Sequence, residues 1–151
     1  MTLTPAIRQQ VRQRAKGLCK YCHSPERICS TRFTLDHIIP RSLSGSDALE
    51  NLALACHRCN ERRYNFVGGV DPLTQKVQPL YNPRQQSWAG HFMWTHDGIL
   101  ILCTTPTGRA TVKRLDLNDE RYPIKDSIQS ARQLWQQVGI HPPADDPIET
   151  T

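Results

Sequence analysis

Long hydrophobic runs are missing from this 151-residue chain: no uninterrupted apolar stretch exceeds five residues, as at 99–103. A membrane-spanning helix needs about 20, so no segment reads as one. The opening Met1-Thr-Leu-Thr-Pro-Ala-Ile-Arg8 also lacks the basic and then apolar segments of a secretory signal. A cytoplasmic protein is the expectation. Aromatic residues are sparse at 7%, apolar ones reach 38% and charged ones 22%. That composition excludes collagen, a coiled-coil rod and wholesale disorder, and it suits one ordinary domain with a polar surface.

The net charge of +5 is modest, but it is unevenly placed. Residues 1–66 carry 11 Lys/Arg against 5 acids, whereas residues 67–151 carry 8 against 9. The basic excess therefore lies wholly in the first part, where it suits either a polyanion such as nucleic acid or simple solubility. Six cysteines in a chain expected to be cytosolic are poor candidates for disulfides. Four of them form the pairs Cys19-Lys-Tyr-Cys22 and Cys56-His-Arg-Cys59. Two such knuckles supply the four thiolates of a closed, structural zinc site. Cys29 and Cys103 lack partners at ligand spacing and read as bystanders; His23 and His57 lie beside a ligand set that four thiolates already complete.

The 33 residues between the knuckles exceed what a compact zinc ribbon needs. Residues 33–39, Phe-Thr-Leu-Asp-His-Ile-Ile, read as a strand stopped by Pro40. A polar loop over 41–51 follows, then a short strand over 52–55 and a helix over 56–66. Upstream, Thr4 and Pro5 open a helix with Ile7, Val11 and Ala15 on one side, and Gly17 closes it. The polar residues of the insert suit metal-assisted phosphodiester hydrolysis. Asp36 and Asn60 offer hard oxygen ligands for Mg²⁺ or Mn²⁺. His37 is a general base of the type that exchanges protons near neutral pH. Asn51 can offer a carbonyl to the imidazole and fix its tautomer. Neighbouring strand residues face opposite ways, so either the strand bends at Asp36 and His37 or metal and substrate straddle its edge.

Cys19-x-x-Cys22, then Leu35-Asp-His-Ile-Ile-Pro-Arg-Ser42, Gly45-Ser-Asp47, Glu50-Asn-Leu52 and Cys56-x-x-Cys59-Asn60, closely resemble the zinc-bearing bacterial HNH endonucleases in their HNN variant. The likeness covers residues 15–66. It implies an α+β protein with a ββα-metal core stapled by the four-cysteine zinc site. Carried over by position, His37 is the base, Asp36 and Asn60 hold the catalytic ion, and Asn51 orients His37. Arg63, where many relatives have lysine, is a phosphate contact, with Arg41 and Arg62 as further candidates. Arg12 belongs to the basic helical cluster Arg8, Arg12, Arg14 and Lys16 that lies near this core in sequence. The implied reaction is DNA hydrolysis, by nicking or double-strand cutting, to 5′-phosphate and 3′-hydroxyl ends. The alternative is a zinc-stapled nucleic-acid-binding module, silent or active only in a larger complex. DNA is the implied partner, and both a homodimer and a larger defence or phage-related complex are compatible with it.

Residues 67–90, with Gly68, Gly69, Pro72, Pro79 and Pro83, read as an irregular connection. Residues 91–95 and 99–103, joined through Asp97-Gly98, carry a hairpin signal. A short helix is expected within 108–117 and a longer one over 119–138, ended by Gly139. These make residues 91–140 a hairpin and helix extension packed on the core, with 141–151 a flexible tail. Asn82-Pro-Arg84, Trp88, His91-Phe92, Trp94, 108–112 and Leu117-Asn118 resemble an extension of some bacterial HNH endonucleases, which implies no catalytic role. His91 and His96 read as packing or turn residues.

Overall fold

Thr4 starts the first helix, α1 (Pro5–Arg14), by accepting a hydrogen bond from the Ile7 amide at 3.2 Å, with proline in the first turn. Gly17, at φ +69°, lets the chain reverse after it and returns its amide to the Arg12 carbonyl. The computed structural model describes residues 3–120 and 127–150. Within α1, Val11 is fully buried, and the Arg14 guanidinium donates to the carbonyls of Leu49 (2.7 Å) and Leu52. The helix is thus tied to the strand that follows Asn51.

That strand, β2 (Leu52–Ala55), pairs antiparallel with β1 (Thr34–His37), setting Asp36 opposite Ala53 and His37 opposite Leu52. All four residues of β2 are buried. Burying Leu54 alone stabilises the unit by about 1.5–3 kcal/mol. The first knuckle closes on itself through Cys19 N to Ser24 O (2.9 Å) and joins β2 through Lys20 N to Leu54 O (2.8 Å). Cys56 caps α2 (His57–Arg63), its sulfur accepting from the Cys59 amide at 3.4 Å. Both strand and helix are shorter than the pattern predicts. The chain bends at Ile38 and Ile39, where the Ile38 amide still reaches Asn51 O, and α2 stops because Tyr64 adopts φ +48°.

The chain divides into two compact units, Met1–Val67 with Asn82–Gln86, and Gly68–Tyr81 with Ser87–Thr151. The second unit holds two hairpins, β3 (Gly68–Val70) with β4 (Val77–Pro79), and β5 (Phe92–Trp94) with β6 (Ile101–Cys103). The first of these corrects the expectation of an irregular stretch over 67–90. Asp71 accepts from Leu73 N, Thr74 Oγ1 and both arms of Arg109, which gives the β3–β4 turn a fixed anchor. Helices α3 (Pro106–Leu115) and α4 (Ile128–Gln137) follow; residues 121–126 of the expected longer helix lie outside the described residues. Trp88, Phe92 and Trp94 form the aromatic core, with ring centres 5.3–5.8 Å apart. The expected flexible tail is instead engaged: Pro147 O and Glu149 N bond the backbone of Trp94, and Asp146 accepts from its indole at 2.8 Å. Among the described residues no helix is long and apolar enough to cross a membrane.

Candidate active site

The four cysteine sulfurs of the knuckles lie within 4.8 Å of one another, all buried, with Cys22 and Cys56 3.6 Å apart. Tetrahedral zinc at about 2.3 Å from each sulfur needs sulfurs about 3.8 Å apart, so the cluster fits that ion. Burial pushes the Cys19 thiol well up, and bonding to Cys19 and Cys22 does the same to Cys59, while the bonds from its neighbours hold Cys22 well down. The buried thiols of Cys19, Cys22 and Cys59 therefore compete for protons. A dication that takes them as thiolates removes the conflict and makes metal binding part of folding.

Beside this cluster a cleft of about 340 Å³ is lined by Asp36, His37, Arg41, Asn60 and Tyr64 among others. Asp36 and His37 both line this cleft although they are neighbours on β1, whose residues alternate between faces. Asn60 enters from the first turns of α2, half-buried. Asp36 is only 4% exposed. Tyr21 donates its hydroxyl to Asp36 Oδ2 at 2.6 Å, and Arg63 Nη1 sits 2.9 Å from Oδ2 and 3.2 Å from Oδ1. Burial raises the Asp36 carboxyl while Arg63 and Tyr21 work in the other direction. Burial also lifts the Tyr21 phenol far above its ordinary value, so it stays a donor. Oδ1 carries only the longer Arg63 contact and retains acceptor capacity.

The imidazole of His37 has a partner that the sequence did not single out. Its Nε2 lies 2.7 Å from Asp47 Oδ1, an oxygen that also accepts from Arg41 Nε (3.2 Å) and Nη2 (3.0 Å). These bonds, that from His37 first, hold the Asp47 carboxyl below its usual range. With Nε2 as donor, Nδ1 is left as the basic nitrogen, and it has no hydrogen-bond partner among the described residues. Asn51, expected to meet the imidazole itself, acts one step away. Its Oδ1 accepts from Ile39 N (2.8 Å), its Nδ2 donates to Ile39 O (3.0 Å) and Ser46 O (2.8 Å), and its backbone carbonyl takes the Ile38 amide. Asn51 therefore clamps the loop that delivers Asp47. Gly45 permits the closure, because a Cβ there would overlap the Ile39 carbonyl.

Three of the four expected phosphate contacts are placed otherwise. Arg63 is 2% exposed and, besides Asp36, donates to the carbonyls of His37 (3.1 Å) and Ile38. Arg12 holds Glu26 at 3.3 Å and Phe33 O at 2.9 Å. Arg62 is half-buried with a 3.5 Å contact to its own helix at Arg58. Only Arg41, 58% exposed at the cleft, keeps its guanidinium at the surface. Tyr21, Asp47 and Gly45 are the residues that pattern reading missed. Tyr21 was visible only as a residue between two knuckle cysteines, and Asp47 and Gly45 only as members of the Gly45-Ser-Asp47 motif, without a role. His57 Nε2 meets the Arg32 carbonyl at 2.9 Å and stays outside the thiol cluster.

A strand hairpin and a short helix, stapled by four thiols and bringing histidine, carboxylate and amide to one cleft, define the ββα-metal class. Within it, residues 19–66 match the HNH endonuclease family model, so the first unit carries an HNH endonuclease domain. A 59-residue segment, 38% of this chain, is 44% identical to the CRISPR-associated endonuclease Cas9 of Corynebacterium diphtheriae. The match spans 5% of that protein's length. No solved structure gives a significant match.

Proposed function

We propose that the chain is a divalent-metal-dependent endonuclease that hydrolyses DNA phosphodiester bonds to 5′-phosphate and 3′-hydroxyl ends. The observation that carries this reading is the state of His37: Nε2 is held by Asp47 while Nδ1 has no hydrogen-bond partner among the described residues, on a cleft shared with Asp36 and Asn60. A module that only binds DNA has no use for an oriented base there. Asp36 and Asn60 would hold the catalytic ion, Mg²⁺ or Mn²⁺; a carboxylate and an amide oxygen on an open cleft suit a hard ion that keeps positions for phosphate and water. When bound, such an ion supplies Lewis acidity to a phosphate oxygen and to the leaving oxygen.

The protein's own groups do the rest. His37 Nδ1 takes a proton from the attacking water as the new P–O bond forms and the bond to the 3′ oxygen breaks. Asp47 stabilises the resulting imidazolium through Nε2–H. Arg41, exposed at the rim, is placed to meet a non-bridging phosphate oxygen. Arg63 and Arg12 take no part in that contact; they hold Asp36 and α1 in place. Zinc at Cys19, Cys22, Cys56 and Cys59 is closed and structural.

A second reading, a nucleic-acid-binding module silent outside a larger complex, draws on the pairing of Asp36 with Arg63, which leaves the carboxylate nearly inaccessible. Plasmid relaxation in Mg²⁺ or Mn²⁺, run on wild type and a matched His37→Ala preparation, separates the two. Cutting by the wild type alone supports the enzyme. Equal cutting by both preparations overturns the mechanism, and binding without cutting under either ion selects the module.

A further inference from the structure

His37, Arg41 and Leu35 border two clefts. One is that of Asp36 and Asn60; the other, of about 440 Å³, is completed by Leu3, Arg8, Phe33 and Thr34. No acidic residue lines the second cleft, and two arginines do. Its shape follows from α1. Arg12 grips the Phe33 carbonyl and Glu26, which sets α1 alongside the start of β1. Arg8, one helical turn earlier on the same side, is thereby carried to the cleft. Arg12 and Arg14 are both engaged by backbone carbonyls, whereas the exposed Arg8 side chain makes no hydrogen bond or ion pair with any described residue. Phe33 and Leu3 are buried beneath it.

We infer that this second cleft is a phosphate-binding subsite for the DNA strand flanking the scissile bond, with Arg8 and Arg41 as its cations. The inference rests on the nuclease reading for the position of the scissile phosphate. A strand that brings one phosphate to His37 must run away from it in both directions, and this cleft is a continuation lined by Arg8 and by Arg41, the latter shared with Asp47. Guanidinium pairs such contacts in bidentate geometry and reads no sequence. The subsite therefore contributes affinity and register rather than specificity.

The test is binding of a short fluorescein-labelled DNA duplex to the full, zinc-loaded chain without added divalent ion, so that no turnover intervenes. Arg8→Ala should weaken binding by about 3- to 10-fold and lower the slope of log K against log salt by about 0.9, the value for one phosphate contact on duplex DNA. Arg8→Lys should keep the slope, and Arg27→Ala, outside both clefts, should keep affinity and slope. In NMR spectra of arginine side-chain Nε–H groups, the Arg8 and Arg41 signals should shift on titration with the duplex while that of Arg12 stays. Zinc content and circular dichroism confirm that each variant is folded. Unchanged affinity and slope in Arg8→Ala, or an unmoved Arg8 signal, overturns the subsite, and normal cleavage alongside leaves the nuclease reading intact. A wild type that never cleaves, yet shows the Arg8 slope and shift, removes the nuclease reading and supports the DNA subsite.

Discussion

Tyr21, which lies between two zinc-knuckle cysteines, donates its hydroxyl to Asp36 across 2.6 Å, with the Arg63 guanidinium 5.8 Å from the centre of its ring. The first cysteine knuckle and the cleft are thus joined through one residue. Tyr21→Phe keeps the ring and removes one buried donor. It should cost about 1–3 kcal/mol in urea unfolding and lower kcat for plasmid cleavage about 10-fold or more, as loss of a group supporting a metal ligand does. Lost stability with unchanged kcat would make Tyr21 structural only.

Asp47 fixes which imidazole nitrogen is basic. Asp47→Asn preserves an acceptor oxygen but removes the charge that stabilises protonated His37. The expected result is a fall in kcat of about 10- to 100-fold with little change in DNA affinity, measured by single-turnover cleavage alongside binding. A variant that cleaves at the wild-type rate would show that the His37–Asp47 contact does not serve catalysis.

The loop between Pro40 and Asn51 depends on Asn51 and Gly45 together. Asn51→Ala leaves buried backbone groups without their partner and should cost about 2–4 kcal/mol. Gly45→Ala should be comparably harmful, because its methyl group collides with a backbone carbonyl. Since both act on one closure, the double variant should be less destabilised than the sum of the two. Additive losses in chemical denaturation would separate the two residues.

In the second unit, Asp71 is held by Arg109 first and then by Leu73 N and Thr74, which keeps its carboxyl far below the usual carboxylate range. A depressed folded pKa gives stability that is present above the unfolded value of about 3.9 and lost as pH falls toward the folded one. The unfolded chain binds the extra proton in that window, so stability rises with pH there. Asp71→Asn should lower Tm at neutral pH and flatten the acid limb below about pH 4, so that its curve approaches wild type at the acid end. Parallel Tm curves at all pH values would contradict this linkage.

The sequence carried the four-cysteine cluster, the order strand, loop, strand, helix, and the grouping of Asp36, His37 and Asn60, because each rests on spacing that survives folding. It gave Asp47 no role and misassigned Arg63 for a common reason. A residue's destination depends on how a loop closes or how a helix is rotated, and neither is periodic. Arg63 follows Arg62 in a basic pair, yet one faces the interior and meets a carboxylate 27 residues away. The β3–β4 hairpin escaped notice because its strands are three residues long, β3 begins with two glycines, and Val70 and Val77 are left exposed. The tail pairs with Trp94 through backbone atoms, which composition does not announce.

Seven residues make α2, well under the 12–15 at which an isolated helix becomes marginally stable in water. Its first turn is fastened by Cys56 and Cys59 and its last by Arg63 on Asp36, so Asn60, the proposed metal ligand, stands on a helix that does not persist by itself. Under the zinc assignment, supply of that ion decides when the cutting site comes into existence. On the proposed function, a chain that has not bound zinc should therefore lack the ordered cleft and leave DNA uncut.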